Sequence, residues 1–240
     1  MVFKICYYGK FKSKGNLIKR SNPYLVMTME EYLQPTEFFD FDKSSVNKKA
    51  LEITENCETE KEKAIALFYW VRDEIKYNMM TYIPRIKDNF KASVTLRKRD
   101  GFCVSKSILL SSFARAVGVP ARIHLVDLIN HKMSQKIADL MKTWIMHYHG
   151  YSEFYLDGKW LKLTPSFDKQ TAIKGGFLPM CEFDGECDAV FPEYDNEGNR
   201  FGEYVMDRGV HADLPLDEIA KVFEEKYPSL YDFKIGSLTK

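Results

Sequence analysis

Apolar residues crowd one stretch of this chain. Between residues 103 and 117 they are Val104, Ile108, Leu109, Leu110, Phe113, Ala114, Ala116 and Val117, with serines and Arg115 among the residues filling the gaps. They fall on most faces of a helical period, which predicts a helix buried on nearly all sides. Gly118 and Pro120 follow as a C′ glycine and a trailing proline would, and they end it. Cys103 stands in its first turn.

Other patterns flank this helix. Thr59-Glu60-Lys61-Glu62 has the form of a capping box. Ala64, Leu67, Phe68, Val71 and Ile75 make the stripe of a helix running to about Lys76. A helix is predicted over Ser44–Cys57, capped by Ser44 or Ser45, with Val46, Ala50, Leu51 and Ile53 inward. Residues Asn78–Arg99 read as a charged loop that lines the cysteine cleft. Arg122–Leu128 alternates as a strand, and Ser134–Lys142 reads as a short helix. Within 1–30, Phe3–Tyr8 and Tyr24–Thr28 have strand composition, as an appended hairpin or arm. Residues 169–213 are rich in turns, with Val190–Tyr194 and Arg200–Met206 expected to pair. Asp213 is expected to cap a final helix carrying Ile219 and Phe223. Helices first and strands later indicate an α+β fold, the central helix packed on an antiparallel sheet. The expected organisation is an N-terminal extension and cover over 1–58, a core over 59–168, and a C-terminal part over 169–240 completing the same domain.

Two aromatic and β-branched runs flank Asp157-Gly158, a strong hairpin signal. A two-residue turn sets Leu156 opposite Lys159, Tyr155 opposite Trp160, and Glu153 opposite Lys162, a favourable charge pair. Carried back, the register sets His149 opposite Ser166, with Thr164 and Asp168 diagonal. A strand histidine beside an acid or hydroxyl has the makings of a base and its orienting partner. At Cys103 the free N–H groups of a helix N-terminus favour thiolate, and so do Arg97, Lys98 and Arg99. Asp100 opposes it, and a buried inert cysteine remains an equal reading.

The cysteine block Thr95–Arg122, ending Gly118-Val119-Pro120-Ala121-Arg122, is followed by His149, Glu153, Tyr155, Gly158, Trp160 and Pro165. With the preceding helix ending Trp70–Tyr77, these blocks resemble the transglutaminase-like, papain-related superfamily over about residues 60–168. The resemblance implies Cys103 as nucleophile and His149 as base. The family usually has Asp four residues after the hairpin Trp, where this chain has Thr164. The third member of the triad is therefore open between Asp168, which carries a charge, and Thr164, which holds the family position.

Composition excludes little. The net charge of +1 gives no reason to expect a nucleic acid partner, and no apolar run approaches a membrane span. The N-terminus lacks the form of a signal peptide. Five cysteines without motif spacing (Cys6, Cys57, Cys103, Cys181, Cys187) read as free thiols in a reducing cytoplasm. Cys181 and Cys187 with His131, His147 or His211 lack metal-ligand spacing, so no metal or other cofactor is expected. His147 is a substitute base on the same strand face, His124 a packed or surface histidine, and Glu153 a partner of Lys162. The function expected is cysteine-dependent acyl transfer on a peptide or protein amide: peptidase or amidase, with transglutaminase or a non-catalytic peptide-binding module as alternatives.

Overall fold

The computed structural model describes residues 29–82 and 86–230. The strands expected within residues 1–28 lie outside them. Helix α1 spans Ser44–Ile53 and buries Val46 and Ala50. Its N-cap residue is Lys43, with no side-chain cap bond, so neither serine caps it. Its end comes before Cys57, where the Thr54 hydroxyl donates to Ala50 O at 2.9 Å.

Helix α2 spans Glu60–Glu74 behind the expected capping box. Glu62 N donates to Thr59 Oγ1 at 3.1 Å, and Thr59 N donates to Glu62 Oε2 at 3.1 Å. The segment expected as a loop holds helix α3, Ala92–Lys98, and 3-10 turns at Met79–Thr81 and Lys87–Phe90. Its start is fixed from far away in the chain: Asp40 Oδ1 accepts from Ser93 N at 2.9 Å. Strands β1 (Lys76–Tyr77) and β2 (Asp100–Gly101) then pair in parallel and deliver the chain to the central helix.

That helix, α4, spans Cys103–Ala116 and is buried along almost all of its length. Gly118, at φ 86°, lets the chain turn back. Strands β3 (Ala121–Asn130), β4 (Ile145–Leu156), β5 (Lys159–Leu163) and β6 (Gly202–His211) form one antiparallel sheet, in the order β5-β4-β3-β6. A short helix, α5 (Gln135–Met141), joins β3 to β4.

Helix α4 lies close against β4. A Cβ on Gly150 would stand 3.1 Å from Val104 Cα, so only glycine permits this approach. The polar residues of the buried helix are tied off in place. Ser107 Oγ donates to Gly150 O at 3.1 Å, and Ser152 Oγ donates back to Ser107 O at 2.9 Å. Arg115 donates to the carbonyls of Ala121, Gln34 and Ala212, each at 2.8 Å. Lys106 Nζ donates to Arg72 O and Ile75 O, covering the open carbonyls at the end of α2.

The hairpin register is as expected from Leu156↔Lys159 to Glu153↔Lys162, and it stops at Ser152↔Leu163. Pairing never reaches His149 and Ser166. Beyond Leu163 the chain is taken over by residue 189: Thr164 N donates to Ala189 O at 2.8 Å. Asp168 then caps helix α6, Lys169–Gly175. The expected hairpin around 196–199 is reduced to a Tyr194↔Arg200 bridge, and β6 pairs with β3 instead. The last helix, α7, spans Leu216–Lys226 after Pro215. Asp213 does not cap it; its carboxylate accepts from the N–H groups of Glu37 and Phe38 at 3.2 and 3.3 Å. Among the described residues, no helix is long and apolar enough to cross a membrane.

Candidate active site

Cys103 opens α4 where that helix packs on the buried part of β4, beyond the end of β5. The backbone N–H groups of Gly150, of Val104 and of Cys103 itself favour its thiolate. The first of these belongs to the residue directly after His149, so the chain places the two sequence candidates at one point of β4. The thiol is nonetheless not poised as thiolate in this closed form. Cys103 is 4% exposed, and burial pushes its pKa up to about 11 against the pull of the three N–H groups. The basic residues expected to help are elsewhere: Arg99 stacks on Trp70 at 4.6 Å, and Lys98 bonds Asn89.

His149 is 2% exposed. Its ring lies 5.5 Å from that of Phe191, and neither ring nitrogen has a hydrogen-bond partner. Burial alone pushes its pKa down to about 3. Thr164 Oγ1 and Ser166 Oγ are likewise buried without a partner, and the Tyr204 hydroxyl faces Thr164.

Asp168 is not brought to His149. Its Oδ2 accepts from Tyr77 N at 2.7 Å and from the Thr171 hydroxyl at 2.7 Å, and Oδ1 accepts from Thr171 N at 2.9 Å. In this arrangement Asp168, expected as the orienting acid, makes no hydrogen bond to the His149 ring. The bend after Pro165 carries it to the start of a helix, where an N-cap carboxylate meets free N–H groups. The carboxyl is pulled below its usual range by those hydrogen bonds, burial acting first and in the opposite sense. Through Tyr77 it does touch the site's wall, since the Tyr77 phenol and the Cys103 thiol interact electrostatically.

Sequence parity fails at the neighbouring histidine. Tyr148 has φ 54°, and the β3–β4 register shifts between Val126 and Leu128, so His147 and His149 are not equivalent positions. His147 Nδ1 lies 2.8 Å from Asp127 Oδ2. Asp127 also accepts from Arg208 Nε and Nη2 at 3.0 and 2.7 Å and from Tyr148 N at 3.2 Å. This cluster was missed because Asp127 lay in an alternating strand and carried no motif.

Glu153 stands opposite Lys162 in the hairpin register and is held by Arg122 and His124. Oε2 accepts from Arg122 Nε at 2.7 Å, and Oε1 lies 2.7 Å from His124 Nδ1. The other ring nitrogen of His124 is 2.8 Å from Asp207 Oδ1. His124 is thus a structural link between three strands. Of the cysteines, Cys57, Cys103 and Cys181 are free, whereas Cys187 is disulfide-bonded. This corrects the expectation of free thiols throughout and removes the ground for inferring a reducing compartment. Among the described residues, no group of three or more His, Cys, Asp or Glu side chains could hold a metal ion.

A family model described as transglutaminase-like superfamily matches residues 47–165. Among solved structures, a candidate cysteine protease from Cytophaga hutchinsonii is 16% identical over 80% of this chain and 50% of its own, with a TM-score of 0.49. The periplasmic domain of TgpA from Pseudomonas aeruginosa is 19% identical over 58% of this chain and 47% of its own, with a TM-score of 0.42. The chain thus spans about half the length of these structures. No curated protein matches it significantly.

Proposed function

Because residues 47–165 belong to the transglutaminase-like superfamily, we propose that the chain catalyses cysteine-dependent acyl transfer on a peptide or protein amide, with hydrolysis as the outcome. The observation that supports this reading is the close approach of α4 to β4, where a Cβ on Gly150, the residue after His149, would stand 3.1 Å from Cα of Val104, the residue after Cys103. In the reaction Cys103 attacks the amide carbonyl carbon. His149 takes the thiol proton and passes it to the departing amine. The Cys103 N–H, at the helix N-terminus, holds the oxyanion once the sulfur has become covalently bound. Water, deprotonated by His149, then cleaves the thioester. An amine in place of water would give transamidation, for which no acceptor site is evident.

A second reading follows from the unpartnered ring of His149. With Thr164 in place of a carboxylate, nothing at the family position balances an imidazolium by charge. On that reading the cleft binds a peptide without turning it over. The deciding experiment is turnover of a fluorogenic peptide library with the wild type and Cys103→Ala. Cleavage lost in the variant supports the enzyme; no cleavage in either, with peptide retained, supports the binding module.

A further inference from the structure

A chain of aromatic rings bridges the mouth of the site. Phe102, directly before Cys103, lies 6.0 Å from Tyr82. Tyr82 lies 4.9 Å from Phe223 on α7, and Phe223 lies 5.0 Å from Tyr227 just beyond it. Tyr227 lies 5.7 Å from the His147 ring. The arc therefore runs from Phe102, the N-cap residue of α4 beside the nucleophile, to the strand that carries His149.

The far end of this arc is fastened to β4 by polar contacts. The Tyr227 hydroxyl donates to Ile145 O at 2.9 Å and accepts from His147 N. Glu218, an exposed residue of α7, accepts from the Tyr148 hydroxyl. The phenol of Tyr227 also lies within electrostatic range of the Cys103 thiol. These contacts are made at the β4 segment where backbone groups are not claimed by β5, the kind of edge an extended peptide uses. Helix α7 lies wholly beyond the residues that match the family model.

We propose that the C-terminal segment Leu216–Leu230 is an autoinhibitory cover, filling with Phe223 and Tyr227 a groove that accepts the aromatic side chains of a peptide substrate. The proposal rests on the acyl-transfer reading for what enters the groove, but not for the closure itself. Opening exposes Cys103 and His149 together; closing buries both.

The test is the rate of iodoacetamide labelling of each cysteine, read by mass spectrometry on the full chain. If the segment opens locally, Cys103 labels at least about tenfold faster than Cys181, which is buried away from the arc. In Phe223→Ala/Tyr227→Ala, Cys103 labelling rises by a further tenfold or more, with Cys57 as an unchanged internal standard. Equal rates for Cys103 and Cys181 in the wild type, whatever the variant's folding, would overturn the cover. So would an unchanged Cys103 rate in a folded variant. A rise that persists unaltered when His149→Ala is added upholds the cover and removes the enzyme reading. A wild-type Cys103 rate that depends on His149 and does not rise in the folded double variant removes the cover and leaves the enzyme.

Discussion

His147 and Asp127 form a histidine–carboxylate pair with 2.8 Å between Nδ1 and Oδ2, while neither ring nitrogen of His149, two positions along β4, has a hydrogen-bond partner. Geometry alone would choose His147 as the oriented base. The charge around it argues otherwise. Asp127 is shared with two guanidinium nitrogens of Arg208, Nε and Nη2, so the pair acts as a strut joining β3, β4 and β6. His147→Ala should lower stability by about 1.5–3 kcal/mol, the worth of a charge-assisted hydrogen bond. It should leave the Cys103 alkylation rate in the opened variant within about twofold. His149→Ala should lower that rate by tenfold or more. The reverse ranking would move the base to His147.

Thr164 sits where the family has a carboxylate, and its buried hydroxyl has no partner. Thr164→Asp should supply the missing charge and raise His149 basicity. The expected signature is faster Cys103 alkylation near neutral pH, roughly tenfold per unit of pKa gained. A stability loss of a few kcal/mol should accompany it, because a carboxylate is being buried. If stability falls and the rate does not move, the residue 164 side chain does not reach the imidazole.

Asp168→Ala is a stability change. It removes the α6 cap and the acceptor for Tyr77 N–H. Loss of about 2 kcal/mol is expected from these two roles. In urea denaturation the midpoint should fall while Cys103 alkylation in the opened variant changes little. A tenfold drop in that rate at constant stability would restore Asp168 as the orienting acid.

Much of the frame was legible because it is written locally. The capping box at Thr59, the Asp157-Gly158 turn and the C′ glycine Gly118 each depend on neighbours in sequence, and each is found where expected. The misses arise where the deciding partner is distant. The first turn of helix α3 is fixed at Ser93, whose N–H donates to the distant Asp40 carboxylate. The hairpin stops at Leu163 because residue 189 competes for the next position. Site parity fails at Tyr148, where a positive φ breaks the alternation that sets side chains on faces. Lys106 passed unnoticed in an apolar run, although it is fully buried and closes the end of α2.

The burial of His149 has a consequence for acid stability. Its pKa falls from 6.5 in the unfolded chain to about 3 in the folded one. Between those values the unfolded state holds the extra proton, so stability is present above pH 6.5 and is lost as pH falls toward 3. Thermal midpoints should drop from pH 6.5 to 5, above the range where most carboxylates titrate. The slope in this interval approaches about 1.4 kcal/mol per pH unit for one such group. His149→Gln should flatten it. An unchanged slope would mean that the imidazole is solvated, and the site open, in solution.

Lys106 gives the opposite end of the pH scale. Its amine lies inside the protein against the carbonyls of Arg72 and Ile75. Burial pulls its pKa from 10.5 down to about 7, with Asp168 and Asp73 resisting. Below pH 7 both states are charged, and the folded one bears the full penalty of a buried ammonium. Between 7 and 10.5 the unfolded chain holds more protons, so this group makes the folded state more favourable as pH rises. The neutral amine still donates to the α2 carbonyls, so those bonds survive the loss of charge. Compared with Lys106→Met, the wild type should therefore gain on the order of 2 kcal/mol between pH 7 and 9. Measuring the difference between the two proteins cancels the titration of every other group. A difference that stays constant over this range would show that Lys106 keeps its proton, with Asp168 and Asp73 outweighing the cost of burial.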